Sequence, residues 1–145
     1  MTAMFTNPAP QAIADLLRRV RTAAVVGLSP NESRPSHRVA RGMQRFGWRI
    51  VPVRPAVAEV LGEKAYASLA DIPEDLRRQI DLVDLFIAAD RVGAFVDQAI
   101  ALGLPAVWLQ DGVIDEAAAL RAQAAGLTVV MDRCVWRDYV SMVSE

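Results

Sequence analysis

Arg34, Ser36, His37 and Arg38 stand within five residues of one another, inside the run Ser33-Arg-Pro-Ser-His-Arg38. Two guanidinium groups and a hydroxyl so close together suit phosphate oxygens, since a guanidinium presents a planar fork of donors that matches them. The run follows Ala23-Ala-Val-Val26 and Gly27, an apolar stretch closed by a residue that lets the chain turn sharply. His37 is the sole histidine; it reads as a residue of the helical turn beside the ligand, with acid–base work as the alternative. Other groups that could react are poorly placed for it. Cys134 is the single cysteine, which excludes an internal disulfide and a multi-cysteine metal site, and it is expected to be a buried structural thiol. Trp108 reads as core or subunit interface. Asp81 and Asp84 are expected on the entry side of a strand, away from the ligand, and Asp115 with Glu116 as acidic residues at a helix start. No catalytic residue and no metal ligand set is expected.

The elements that must position these side chains are legible as alternating apolar runs and helical repeats. Residues 23–26 read as a strand buried on both faces. Pro30 and Asn31 turn the chain, Ser33 stands where a helix N-cap would sit, and Pro35 fits the first helical turn. Val39, Ala40, Met43 and Phe46 then recur at helical spacing, and Gly47 closes the helix. Before this unit a helix is expected over 8–21, capped by Asn7 or a neighbour, with Ile13, Leu16, Leu17 and Val20 on one face. After it come a strand over 48–53, a turn over 59–62, a brief edge strand over 64–66, and a loop with a short helix from 68 onward. Strands over 81–88, 106–109 and 127–131 alternate with helices over 91–102 and 115–125. The apolar residues of 132–145 place that tail against the body. Such alternation predicts an α/β fold, a Rossmann-like domain with a mainly parallel sheet and helices on both faces. Ligands of such sheets sit at the carboxyl ends of the strands. That rule selects 27–38, 53–55, 87–90 and 110–112.

The loop argues against the commonest dinucleotide. Gly27 is followed by Leu28, Ser29 and Pro30, without the further glycines of a G-x-G-x-x-G fingerprint. At the end of the second strand, where an acidic residue would hold the ribose hydroxyls of NAD, the chain has Val53-Arg54-Pro55. An arginine there suits a phosphate on the adenosine ribose, at the 2′ position in NADP or the 3′ position in coenzyme A.

Several segments in order, V-G-x-S at Val26, R-P-S at Arg34, E-V-L-G at Glu59, L-x-D-I-P at Leu69, V-W-x-Q at Val107 and M-D-R-C at Met131, resemble the small bacterial CoA-binding proteins. The fold of that family is similar to the N-terminal nucleotide-binding domain of the succinyl-CoA synthetase α subunit. The resemblance runs over 23–134, with 1–22 as a helix packed on the domain and 135–145 as a tail. It implies coenzyme A or an acyl-CoA as ligand. Gly27, Leu28 and Ser29 would lie along its pyrophosphate; Arg34, Pro35, Ser36 and Arg38 would supply the phosphate-binding turn. Val53, Arg54 and Pro55 would flank the adenine and ribose phosphate, Ile87 and Ala88 would line the nucleotide or pantetheine side, and Gln110 would lie near the pantetheine. Arg54 departs from the asparagine of many relatives. The phosphohistidine domain with which the synthetase works has no counterpart here.

The totals narrow the classes. The chain has 145 residues, 53% of them hydrophobic and 23% charged, which excludes disorder. A formal net charge of -1 offers no general field for nucleic acid. No apolar run approaches the roughly 20 residues of a membrane span, and the N-terminal residues lack the pattern of a secretory signal. A cytoplasmic protein is expected. Three functions remain open: a non-catalytic CoA or acyl-CoA binding protein, an NADP-dependent oxidoreductase, and a partner subunit of a CoA-using enzyme. The apolar tail around Trp136 and Tyr139 would then be a contact with a second copy or with another protein.

Overall fold

The computed structural model describes residues 4–144. Five parallel strands form the sheet in the order β2-β1-β5-β6-β7: β1 (Thr22–Val26), β2 (Arg49–Val53), β5 (Leu82–Leu85), β6 (Ala106–Leu109) and β7 (Thr128–Met131). A short antiparallel hairpin, β3 (Glu59–Val60) and β4 (Glu63–Lys64), stands beside β2. Every residue of β1, β5 and β6 is buried. That explains their unbroken apolar character, with Thr22 and Asp84 as the exceptions. Val26 is level with both Val53 and Leu85, Leu85 with Leu109, and Leu109 with Met131. The strands therefore end in step. The order reverses between β1 and β5, where the connections leave toward opposite sides and a crevice opens at the carboxyl ends.

Two cores result, one on each face. On one, Ala24, Val26, Val83, Leu85, Val107 and Leu109 meet α4 (Val92–Ala101), α5 (Glu116–Ala124) and the segment around a 3-10 turn, Leu69–Asp71. On the other, Ala23, Val25, Ile50, Leu82 and Trp108 meet α1 (Pro10–Arg19), α2 (Pro35–Arg45) and α6 (Val135–Met142). A four-residue helix, α3 (Glu74–Arg77), completes the list of helices among the described residues. The tail is thus a helix over most of its length. The Tyr139 ring lies 4.5 Å from Phe46 and 6.1 Å, edge-on, from Trp48. The Trp136 indole covers Gly42 so closely that a Cβ there would collide with it.

Two expected caps work differently. Ser33 does not cap α2; Arg34 is the N-cap residue, without a side-chain bond, and the Ser33 hydroxyl donates to Asn31 Oδ1 at 2.8 Å. Pro35 at the first helical position shifts the boundary one residue on, and its ring fixes the helical φ without needing a cap. Likewise α1 begins after Ala9 without a side-chain cap. Asn7 turns instead to β7, donating to the Met131 carbonyl at 2.9 Å and accepting from the Met131 amide at 2.8 Å. No helix among the described residues is long and apolar enough to cross a membrane.

Candidate functional site

The β1–α2 turn is built around its backbone. Gly27 has φ +82°, a left-handed conformation that side chains other than glycine rarely adopt, and a Cβ there would run into the Phe86 carbonyl at the start of the β5–α4 loop. Its amide donates to the Val53 carbonyl at 2.8 Å, tying the turn to the end of β2. The loop is then folded back onto the helix it precedes. Ser29 donates its amide to Ser36 Oγ at 3.0 Å, His37 Nδ1 lies 2.9 Å from the Ser29 carbonyl, and Asn31 donates its amide to Ser29 Oγ at 3.1 Å. His37 is buried in that contact, which makes it a structural link of the loop. The buried Ser36 hydroxyl serves the same purpose.

Above this turn lies a cavity of about 670 Å³, within the range of small-ligand sites. It is framed by Gly27, Ser29, Arg34, Pro35 and Ser36 from the first loop and helix, Arg54 from the end of β2, Ile87 and Ala88 after β5, and Gln110 after β6. Four residues singled out in the sequence stand elsewhere. Leu28 and Val53 are sealed in the core, because side chains alternate through the sheet ends and these two point inward. Arg38 is one helical turn past the mouth and donates from Nη1 to the Ser33 carbonyl at 2.7 Å. Pro55 is exposed and outside the lining.

The wall also holds Val39, Phe86, Arg91, Asp111, Val113 and Cys134. Arg91 lies one residue beyond the selected segment 87–90, and extending the strand-end rule by a turn would have found it. The same rule applied to β7 would have found Cys134. The thiol is half-buried, and burial pushes its pKa up, so it is a poor nucleophile in this state. Its sulfur accepts from the Arg137 amide at 3.5 Å as the N-cap of α6.

Charge in the cavity is one-sided. Arg54 donates from Nη1 to the Gly27 carbonyl at 3.3 Å, which leans it over the turn. Among the described residues neither Arg34 nor Arg91 is paired with a carboxylate. The one acidic side chain of the lining, Asp111, is held by both Nη atoms of Arg137 at 2.8 Å. That guanidinium keeps the Asp111 carboxyl below its usual range. The carboxylate is thus matched, and three arginines remain to meet an anion.

Asp84 departs from expectation most. It stands inside the sheet between Val25 and Trp108, 2% exposed, and Gln110 Nε2 donates to its Oδ1. Burial raises its pKa to about 7, against the lowering effect of the Gln110 bond. It is directly behind a residue of the cavity wall, whereas the sequence placed it at the far end of the strand. Asp81 does stand at that entry side, where Oδ2 accepts from the Arg21 and Thr22 amides. Trp108 is fully buried and donates to the Arg133 carbonyl at 2.7 Å, so it belongs to the core. Among the described residues no group of three or more His, Cys, Asp or Glu side chains is arranged to hold a metal ion.

A family model described as "CoA binding domain" matches residues 21–139. The chain belongs to the CoA-binding domain family. An uncharacterised protein of Bacillus subtilis, YneT, is 36% identical over 129 residues, covering 89% of this chain and 93% of that one. A solved structure of a Pyrococcus horikoshii protein superimposes with a TM-score of 0.88 at 33% identity, covering 99% of this chain and 98% of the other. An ADP-forming acetate–CoA ligase of Archaeoglobus fulgidus is 28% identical over 78 residues, which is 54% of this chain but 11% of the ligase. The synthetase kinship of the family domain is thus with ADP-forming acetate–CoA ligases. Coenzyme A is the ligand that the family's description carries.

Proposed function

We propose that the protein binds coenzyme A or an acyl-CoA in this cavity, as a binding module without chemistry of its own. The observation that carries the reading is the convergence of Arg34, Arg54 and Arg91 on one cavity, beside the stapled turn at the head of α2. Arg34 and the turn from Gly27 to Ser29 would take the pyrophosphate at the positive end of α2. Arg54 would meet the ribose phosphate. Ile87 and Ala88 would pack along the ligand, with the pantetheine arm running past Gln110 toward Cys134. Leu28, Val53, Arg38 and Pro55 would act through the shape of the turn. The finer kinship with the succinyl-CoA synthetase α subunit, suggested by the sequence motifs, fits within this reading.

The test is titration calorimetry of the nucleotide-free protein with coenzyme A, 3′-dephospho-CoA, NADP and NAD. Coenzyme A is expected to bind tightest. Arg34→Ala should weaken it by tenfold or more, as expected for losing a charge-assisted bond worth roughly 1.5–3 kcal/mol. Arg54→Ala should erase the preference for the 3′-phosphate. Binding of NADP with none of coenzyme A would overturn the reading in favour of an oxidoreductase.

A further inference from the structure

We infer that Asp84 is a positioning residue for the cavity: from behind the wall it holds the Gln110 amide with its carbonyl oxygen turned to the ligand. The inference rests on the proposal that the pantetheine arm passes Gln110. It begins from an asymmetry. A side-chain amide has one donating and one accepting end, and here the Nε2 end is committed to Asp84. Gln110 is only 3% exposed, yet among the described residues no group donates to its Oε1. Among the described residues no buried side-chain oxygen or nitrogen is left without a partner and sealed from solvent, so Oε1 opens on the cavity that Gln110 lines. That wall offers an acceptor. The matching ligand chemistry is a hydrogen-bond donor, which the pantetheine arm has in its amide N–H groups and its terminal S–H.

The choice of an acid to orient Gln110 is telling. Asp84 has Gln110 as its hydrogen-bond partner and apolar strand neighbours, Val25 and Trp108. An asparagine would suffer less from burial. Only the ionised carboxylate, however, must accept and never donate, and so fixes which way the amide faces. When Asp84 takes up a proton, its hydroxyl can donate to Oε1; the amide then reverses and presents N–H to the cavity. Burial places that protonation near neutrality. Of the charged groups on this face, Arg38 of α2 is on the Ser33 carbonyl, with Arg41 half-buried and Arg45 exposed farther along the helix. His37 is at the Ser29 carbonyl, Arg133 is on Asp138 at 2.6 Å, Arg137 is on Asp111, and Cys134 caps α6. Asp15, Arg18 and Arg19 of α1 face solvent, and Tyr139 of α6 packs on Phe46.

The test compares the full-length wild-type protein, Asp84→Asn and Gln110→Leu. Binding of coenzyme A and of the β-methyl ester of 3′-phosphoadenosine 5′-diphosphate, which keeps the 3′-phosphate and the esterified pyrophosphate but lacks the pantetheine arm, is measured across the neutral pH range. Phosphate titration affects both ligands alike; the Gln110 wall affects only the first. Wild-type protein should lose about tenfold more affinity for coenzyme A than for the methyl ester on acidification. Asp84→Asn and Gln110→Leu should both abolish that excess. If S-methyl-CoA also lacks the excess, the donor is the thiol; if it keeps the excess, the donor is an amide N–H. Parallel profiles for the two ligands in wild-type protein, or an excess retained in Asp84→Asn, would overturn the inference. A second measurement stands even if coenzyme A fails to bind. In the free protein the Gln110 side-chain 15N–1H resonances should shift with a midpoint near pH 7 in wild type and stay flat in Asp84→Asn. A flat wild-type response would also overturn it.

Discussion

The two faces of the sheet are made of different material. The α4–α5 face has an apolar core, aliphatic from Leu69 and Val83 to Ala122 and Val129, with the Phe5 ring buried among them. The α1–α2–α6 face carries Ser36, His37, Asp84 and Asp138, all buried, among its apolar residues. The first face can be optimised for burial alone. The second must also form the floor of a cavity, and buried polar groups there cost stability unless every one is bonded. The pairs Ser29–Ser36, Ser29–His37, Asp84–Gln110 and Arg133–Asp138 supply those bonds.

Substitutions on each face should therefore separate stability from binding. The largest effect is expected at the turn that joins them. Gly27→Ala meets both a positive φ and the Phe86 carbonyl, so unfolding in urea should show a loss above about 4 kcal/mol, together with loss of coenzyme A binding. Unchanged binding in a folded Gly27→Ala protein would break the link between turn and ligand.

Asp84→Asn should do the reverse. An acid whose folded pKa is raised from 3.8 to about 7 weakens the fold as pH rises, because the unfolded chain ionises first. The variant should then be more stable than wild type by up to about 4 kcal/mol above pH 7, with the gap closing toward pH 4. Denaturant midpoints at alkaline and acidic pH measure it; a gap independent of pH would contradict the buried acid. Leu69→Ala, at a fully buried site of the α4–α5 face, should cost about 3 kcal/mol while leaving coenzyme A affinity unchanged in the folded protein.

Local chemistry made most of the frame legible. The apolar runs at Ala23–Val26 and Ala106–Leu109 gave their strands because burial on both faces leaves no alternation to misread. Gly47 and Gly126 marked helix ends through their positive φ. What escaped was contact between distant positions. Asn7 has the chemistry of a helix cap, but its partner is Met131, 124 residues on. Asp84 looked remote because nothing within its own strand shows that Gln110, 26 residues later, reaches back to it. Arg38 stands near Arg34 both by spacing and by the family resemblance; the local sequence does not show that it donates to the Ser33 carbonyl.

The bonds of Asn7 have a further effect, on association. An outermost strand offers unpaired peptide groups that invite a foreign strand. At the carboxyl end of β7, the Asn7 amide occupies the Met131 N–H and carbonyl as a one-residue substitute for such a neighbour. On the opposite margin Tyr66 does likewise for β2, accepting from the Arg54 amide and donating to the Pro52 carbonyl. Both margins are thus blunted beside the cavity, which disfavours continuation of the sheet into a second molecule there.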